Sequence, residues 1–328
     1  MSPILIGFII TALAFDFLNG FHDSANIVAT MISSRAVSPR RALMLSATAE
    51  CVAPFLFGVA VATTIGHKVV QPYASTMAVV LAALIAAIVW NVITWLLGIP
   101  SSSSHALIGG LVGAAIVGYG VEAVQLDGLL KVVIALLLAP LLGLFGGYIS
   151  MKLVLFLARG SSPRINWFFK RAQTFTALAL ALGHGTNDAQ KTMGIITMGL
   201  VGAGVLTEFR VPLWVIAASA GAISLGTAVG GWRIIRTLGA KFYKIRPVHG
   251  FTTQVASAMV VMSAALLGGP VSTTQVVSSA ILGVGAGERV SKVRWNVAGN
   301  ILTAWVLTIP ASALLAALVY LVIRRFMT

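Results

Sequence analysis

Two copies of one polar motif interrupt long apolar runs of this chain: Asn19-Gly20-Phe21-His22-Asp23-Ser24-Ala25-Asn26 and His184-Gly185-Thr186-Asn187-Asp188-Ala189-Gln190-Lys191. Gly20 corresponds to Gly185, and Asp23 corresponds to Asp188, both at an offset of 165 residues. An ionisable side chain at membrane depth is energetically costly, so each aspartate indicates a functional site. Two aspartates in repeat-related positions are hard to explain as accidents.

The composition is that of a membrane protein. Of 328 residues, 58% are hydrophobic and 9% are charged, whereas a soluble domain carries about 25% charged residues. Apolar runs of about 20 residues or more recur, each long enough to cross roughly 30 Å of hydrocarbon. The net charge of +14 lies mostly in short loops, where the positive-inside rule explains it, so no nucleic-acid partner is predicted. We therefore predict an all-α polytopic protein embedded in a lipid bilayer.

A second pair of motifs extends the repeat. It relates Pro100-Ser101-Ser102-Ser103-Ser104-His105 to Pro270-Val271-Ser272-Thr273-Thr274-Gln275 at an offset of 170 residues. Each half then holds five crossings, ten in all, and an odd number forces the two halves into opposite orientations. This is the inverted-repeat plan of many secondary transporters. If residues 98–119 and 268–285 form re-entrant hairpins rather than broken spans, the number of transmembrane elements rises to about twelve.

Basic loops give the predicted domain boundaries and orientation. We assign residues 1–158 to the first transmembrane repeat, 159–171 to a basic cytoplasmic linker and 172–328 to the second, inverted repeat. With the N-terminus outside, every strongly basic loop faces the cytoplasm, as the positive-inside rule requires. These loops lie at 34–41, 158–171, 233–247 and 286–294.

The two Ser/Thr-rich motifs each open a helix. One interpretation is helix capping, because Ser and Thr are preferred caps and Pro suits the first turn. A cap needs one hydroxyl, whereas the first motif supplies four and the second supplies three. The unpaired N–H groups at a helix start also form an anion site, which the helix dipole strengthens. We therefore predict that an oxyanion accepts hydrogen bonds at Ser102, Ser103, Ser104, Ser272, Thr273 and Thr274.

The aspartate motifs predict cations beside that anion. Gly20 and Gly185 permit the helix to unwind, which would free oxygen ligands. Two carboxylates near an oxyanion repel it strongly in a low dielectric, so positive charge must lie between them. Lys191 is one source, but hard cations bound by carboxylate, amide and carbonyl oxygens fit the motifs better.

Sodium is the cation that suits a helix-break site of this kind. Its predicted ligands are Asp23, Asn26, Asn187 and Asp188. The alternative is that the two aspartates only cap half-helices or pair with buried partners. Glu50, within the second apolar segment, is a candidate coupling residue that could bind a cation, relay a proton or pair with a buried lysine. Asp16 lies before the first motif and is predicted at the mouth of the site.

At these motifs the chain resembles the inorganic phosphate transporter (PiT) family. Residues 20–26 and 185–191 are similar to the paired Gly-Ala-Asn-Asp signatures of that family, and the second copy is the closer one. The first copy departs from the usual form by having Phe21-His22 in place of Ala-Asn. The likeness spans nearly all of the chain. It implies sodium- or proton-driven uptake of inorganic phosphate, inverted repeats, a homodimer and the cell membrane of a bacterium or archaeon.

We accordingly predict a secondary-active symporter that imports inorganic phosphate with sodium by alternating access. No enzymatic activity is predicted, and no cofactor beyond sodium as the coupling ion. Gln190 and Asn26 join the hydroxyl-bearing residues as predicted phosphate contacts. The alternatives are a proton-coupled phosphate or metal-phosphate symporter, a sulfate permease of the same fold, and a passive anion channel.

Overall fold

The structure is a computed structural model that describes residues 2–327, apart from the side chains of residues 65–68 and 327. Within this range the chain is helical and contains no β-strand, which confirms the predicted all-α fold. The α-helices are α1 Pro3–Ser33, α2 Pro39–Phe57, α3 Ala60–Lys68, α4 Met77–Leu97, α5 Ser103–Tyr119, α6 Leu126–Leu157, α7 Ile165–Gly202, α8 Leu213–Val229, α9 Trp232–Arg236, α10 Pro247–Leu266, α11 Thr273–Glu288 and α12 Trp295–Met327. A π-helical turn, Thr237–Lys241, continues α9.

Several of these helices can cross a bilayer. By length and composition, α1, α4, α6 and α12 each qualify. Helices α8 and α9, with the π-helical turn, qualify together as a pair bent by 58°. Helix α7 is longer still, at 38 residues, but it carries the second aspartate motif in its interior. The chain is therefore a multi-pass membrane protein.

The first helix of each half runs through its aspartate motif without a break. Helix α1 is continuous across residues 19–26, and α7 is continuous across residues 184–191. The predicted unwinding at these motifs is therefore wrong. The glycines instead allow close helix packing, since a Cβ added at Gly20 would lie 2.0 Å from the Ile223 carbonyl oxygen on α8. A Cβ added at Gly185 would lie 2.7 Å from Glu50 Cα on α2.

The breaks lie one helix later in each half. Gly58 directly follows the end of α2 and Gly230 directly follows the end of α8, and both glycines have a φ of 78°. Residues that have a Cβ rarely adopt a positive φ, so glycine suits both positions. The two breaks separate α2 from α3 and α8 from α9. The second apolar segment, which carries Glu50, is thus a broken pair of helices and not a single span.

Helices α4 and α5 form a hairpin, and α10 and α11 form a second one. Helix α5 folds back along α4, since a Cβ added at Gly110 would lie 3.0 Å from Ala83 Cα. A threonine hydroxyl holds each hairpin tip: Thr237 Oγ1 donates to the Gly98 carbonyl oxygen at 2.7 Å, and Thr64 Oγ1 donates to that of Gly268 at 2.9 Å. Each threonine belongs to the opposite half of the chain. The tips bring the buried starts of α5 and α11 into the protein interior.

The order of elements is the same in both halves. Helices α1–α6 and α7–α12 each comprise a long helix, a broken pair, a hairpin and a second long helix. Helix α7 begins at Ile165, so residues 165–171 of the predicted linker form the first turns of the second half.

Gly226→Ala is expected to lower the melting temperature of the detergent-solubilised protein. A Cβ at Gly226 would lie 1.9 Å from the Phe17 carbonyl oxygen, so α8 and α1 would have to separate. Overpacking of this kind costs about 1–3 kcal/mol, whereas alanine gains at most about 1 kcal/mol over glycine in a helix. The matched control is Gly221→Ala on the same helix, where a Cβ meets nothing within 4 Å. Equal melting temperatures for the two variants would contradict the close approach.

Candidate functional site

Thr273 connects the two aspartates of the repeated motif. Its hydroxyl oxygen lies 2.8 Å from Asp188 Oδ2 and 3.3 Å from Asp23 Oδ2. Asp23 comes from α1, Asp188 comes from α7, and Thr273 is the first residue of α11. All three side chains are buried. The structure thus brings together both aspartate motifs and one Ser/Thr motif.

The start of α11 supplies two further contacts. Thr274 Oγ1 donates to Asp23 Oδ1 at 3.0 Å and accepts a hydrogen bond from Asn26 Nδ2 at 3.0 Å. Ser272 is the cap of the helix, since its hydroxyl accepts from the Gln275 N–H. One hydroxyl of this motif therefore caps, and the other two contact the aspartates.

The start of α5 has the same division of roles. The Ser102 hydroxyl caps the helix by accepting from the His105 N–H at 3.2 Å. Ser103 Oγ donates to Asn19 Oδ1 on α1 at 2.7 Å. The capping interpretation thus explains one serine at each helix start. The backbone N–H groups of a first helical turn have no partner within the helix, so both starts keep donors for an anion.

Lys191 supplies positive charge beside Asp188. Its ammonium group contacts the Asp188 carboxylate and donates to Ser104 Oγ at 2.6 Å and to the Val271 carbonyl oxygen at 2.9 Å. The lysine is 1% exposed. The sequence argument ranked this ammonium group below a metal ion, yet the structure places it directly on the aspartate. Its three oxygen partners are the kind of ligands that a hard cation would use.

His184 lies between three carboxyl groups, and the sequence analysis did not assign it a role. Its Nε2 is 2.9 Å from Asp188 Oδ2 and 3.8 Å from Asp23 Oδ2, and its Nδ1 is 2.6 Å from Glu50 Oε1. A spacing of four residues on one helix places His184 and Asp188 on the same face, a signal that could have identified it. On the first copy, His22 Nδ1 lies 2.7 Å from Asp23 Oδ1.

Acidic side chains outnumber lysines in this buried region. Asp16, Glu50, Asp23 and Asp188 are at most 1% exposed, and Lys191 is the buried lysine beside them. Asp16 lies inside the protein and not at an open mouth, so its predicted position is wrong. Neither carboxylate oxygen of Asp16 has a hydrogen-bond partner of good geometry among the side chains that the structure describes, although Thr192 lies close by. His22, His184 and Lys191 contact the other three carboxyl groups. Asp16 therefore favours a further cation nearby, because an unpaired buried charge is costly.

Oxygen atoms suitable for a cation are available around the aspartates. Asn26 Oδ1 and Asn187 Oδ1 are buried, and neither has a hydrogen-bond partner in the described part of the chain. Ligand atoms of Asp23, His184 and Asp188 lie within 4.8 Å of one another. Amide and carboxylate oxygens are ligands that hard cations prefer. The residues therefore fit a sodium site.

Gln190 occupies a different place from the other predicted phosphate contacts. Its Oε1 accepts from the N–H groups of Val61 and Ala62 at 2.7 and 3.2 Å, and its Nε2 donates to the Gly58 carbonyl oxygen at 2.6 Å. The amide thus bridges the break between α2 and α3. In this conformation Gln190 positions α3, and its contact with phosphate stays a prediction.

Comparisons with known proteins identify related chains. The model of the phosphate transporter family matches residues 19–316. Two relatives, from Rhizobium meliloti (strain 1021) and Bacillus subtilis (strain 168), are each named "probable low-affinity inorganic phosphate transporter" and are each 47% identical over 320 residues. The alignments cover 97% and 96% of this chain, respectively, and 96% of each relative. A solved structure, "the sodium-dependent phosphate transporter", matches with a TM-score of 0.88 and 26% identity, over 98% of this chain and 99% of that chain.

Proposed function

Because this chain belongs to the phosphate transporter family, we propose that it imports inorganic phosphate in symport with sodium ions. It is a phosphate transporter and not an enzyme. The name of the solved relative, a sodium-dependent transporter, supports sodium as the coupling ion. The predictions of the family and of phosphate as the transported substrate are confirmed. The proposal that sodium is the coupling ion is argued from the residues of the site.

The observation that carries sodium coupling is the set of buried oxygen atoms around two aspartates. Asp23, Asn26, Asn187 and Asp188 supply the carboxylate and amide oxygens, and both Asn Oδ1 atoms lack partners among the described residues. Sodium bound there neutralises the carboxylates, which would otherwise repel the phosphate anion. It also takes over the carboxylate oxygens to which Thr273 and Thr274 now donate. Their hydroxyls then become donors to phosphate.

Phosphate binds between the starts of α5 and α11 on this proposal. Ser103 and Ser104 flank it from α5, and Thr273 and Thr274 flank it from α11. Hydroxyl and backbone N–H donors hold an oxyanion less firmly than a bidentate arginine does. A site without a guanidinium group therefore suits a carrier that must release its cargo.

The repeated architecture supports the proposal of transport by alternating access. The two halves form inverted repeats, with the N-terminus outside and the basic loops in the cytoplasm. The hairpin tips accept hydrogen bonds from Thr64 and Thr237 of the opposite halves. During transport the tips move relative to α3 and α9, the short helices that follow the two breaks. The transporter acts in the cell membrane as a homodimer.

An inward sodium gradient is expected to drive uphill uptake of labelled phosphate into proteoliposomes that contain the purified protein. Replacing sodium with choline on both sides, at the same pH, should reduce uptake to the level of protein-free vesicles. Uptake that ignores sodium but follows a pH gradient would replace sodium by protons in the proposal. Flux that no cation gradient can drive uphill would indicate a passive channel, and equal competition by sulfate would indicate an unselective oxyanion carrier.

A further inference from the structure

An apolar groove lies between α6, α11 and α12, outside the aspartate site. Its volume is about 640 Å³, and its walls are mostly apolar, with Leu141 on α6, Leu282 on α11 and Leu302 on α12 among the lining residues. Leu302 is 57% exposed and Leu141 is 49% exposed, so the groove opens on the surface of the transmembrane region. An apolar groove at this depth is filled by hydrocarbon or by another apolar helix.

The groove has the length of one bilayer leaflet. Trp295 and Trp305 of α12 both line it, and ten residues of helix rise about 15 Å. That is half of the roughly 30 Å hydrocarbon core. Trp295, the first residue of α12, is 46% exposed, and exposed tryptophans at helix ends mark the membrane–water interface.

Basic residues lie near the end of the groove marked by Trp295. The Arg294 N–H donates to the Phe242 carbonyl oxygen at 3.1 Å, and Phe242 is also a lining residue. This bond brings Lys241 and Lys244 to the same end as Arg294. All three cations are exposed, and none of them forms an ion pair with a side chain that the structure describes.

The neighbouring acidic residue does not neutralise these cations. Glu288, at the end of α11, already contacts Arg246, His249 and Lys292. The end of the groove therefore carries three uncompensated positive charges beside an apolar channel. A second copy of this chain on this face would bring its own Lys241, Lys244 and Arg294 to the same depth, so the two sets of cations would repel each other at this end.

We propose that the groove binds an anionic phospholipid, with an acyl chain between α6, α11 and α12 and the phosphate headgroup on Lys241, Lys244 and Arg294. The positive-inside rule places these basic loops at the cytoplasmic leaflet, which carries the anionic lipids. The site is separate from the aspartate site and does not depend on which ion drives transport.

Native mass spectrometry of the purified full-length protein tests the site with two probes, phosphatidylglycerol and phosphatidylcholine. The wild-type protein is expected to retain phosphatidylglycerol in preference to phosphatidylcholine. In a separate thermal unfolding measurement, it should melt at a higher temperature with phosphatidylglycerol than with phosphatidylcholine. The triple variant Lys241→Gln/Lys244→Gln/Arg294→Gln should weaken the retention by about 100-fold, since each basic residue near an anionic surface contributes about fivefold. The matched control, Arg35→Gln/Arg40→Gln/Arg41→Gln, changes the net charge equally in another basic loop and should retain the lipid.

Gly299→Leu tests the hydrocarbon part of the site. Gly299 lines the groove, and a Cβ there meets nothing within 4 Å, so leucine fills the channel without displacing the backbone. This variant should lose phosphatidylglycerol, whereas Gly221→Leu on α8, also free of neighbours within 4 Å, should keep it. Equal retention of both lipids by the wild-type protein would overturn the proposal. Dissociation of a dimer by Gly299→Leu would also overturn the proposal, because it would show that a second copy of the chain, and not a lipid, occupies the groove in the wild-type protein.

Discussion

The Asp188→Asn variant is expected to lose about 100-fold or more of the initial rate of sodium-driven phosphate uptake. Asparagine keeps the shape of the side chain but removes the negative charge that attracts a cation. Asp188 contacts Lys191, His184 and Thr273, so the substitution alters the charge at the centre of the buried site. Removing one charge from a buried, hydrogen-bonded charge pair at a binding site costs about 2–5 kcal/mol of binding free energy, and each 1.4 kcal/mol corresponds to about tenfold.

The measurement is labelled phosphate uptake into proteoliposomes over a series of sodium concentrations. Asp23→Asn, the corresponding change on α1, should show a loss of the same order. Asp127→Asn is the matched control, because Asp127 is exposed at the start of α6 and the change in net charge is identical. Wild-type sodium dependence in Asp188→Asn would show that this carboxylate takes no part in coupling, and the proposed sodium site would then be wrong.

The spacing of the motifs in the sequence predicted two things: that the chain contains a repeat, and that the aspartate and Ser/Thr motifs of both halves lie together at one site. The offset of 165 residues relates Asp23 to Asp188, and the offset of 170 relates Ser103 to Thr273. The structure places Thr273 in contact with both aspartates. Hydrophobic runs likewise gave the all-α membrane fold, since the length needed to cross a bilayer is a property of the sequence alone.

The positions of the helix breaks could not be predicted, because several glycines lie in apolar runs and only tertiary structure tells them apart. Gly20 faces the backbone of Ile223, whereas Gly58 has nothing within 4 Å and adopts a positive φ. The contact between His184 and Glu50 could not be predicted from the sequence either. These residues lie 134 positions apart, and local periodicity carries no information about such a contact.

The Lys191→Met variant is expected to make the stability of the protein depend on sodium more strongly than that of the wild type. Methionine removes the ammonium group that contacts Asp188, and leaving one member of a buried charge pair costs about 3–5 kcal/mol. The melting temperature at low sodium should therefore fall. Sodium can occupy the vacated position, because the Asp188 carboxylate, Ser104 Oγ and the Val271 carbonyl oxygen are all oxygen ligands. A ligand that binds only the folded state stabilises it as its concentration rises.

The measurement is the melting temperature in detergent across a sodium chloride series, with choline chloride at equal ionic strength as the control. Sodium should raise the melting temperature of Lys191→Met more than that of the wild-type protein, and choline should not. The double variant Asp188→Asn/Lys191→Met separates charge from packing, because it buries neither member of the pair. It should recover most of the lost stability and respond no more to sodium than the wild type, while phosphate uptake stays as low as in Asp188→Asn. If Lys191→Met melted like the wild type at every sodium concentration, the contact with Asp188 would contribute no stability, and a cation at this position could not be what the aspartate requires.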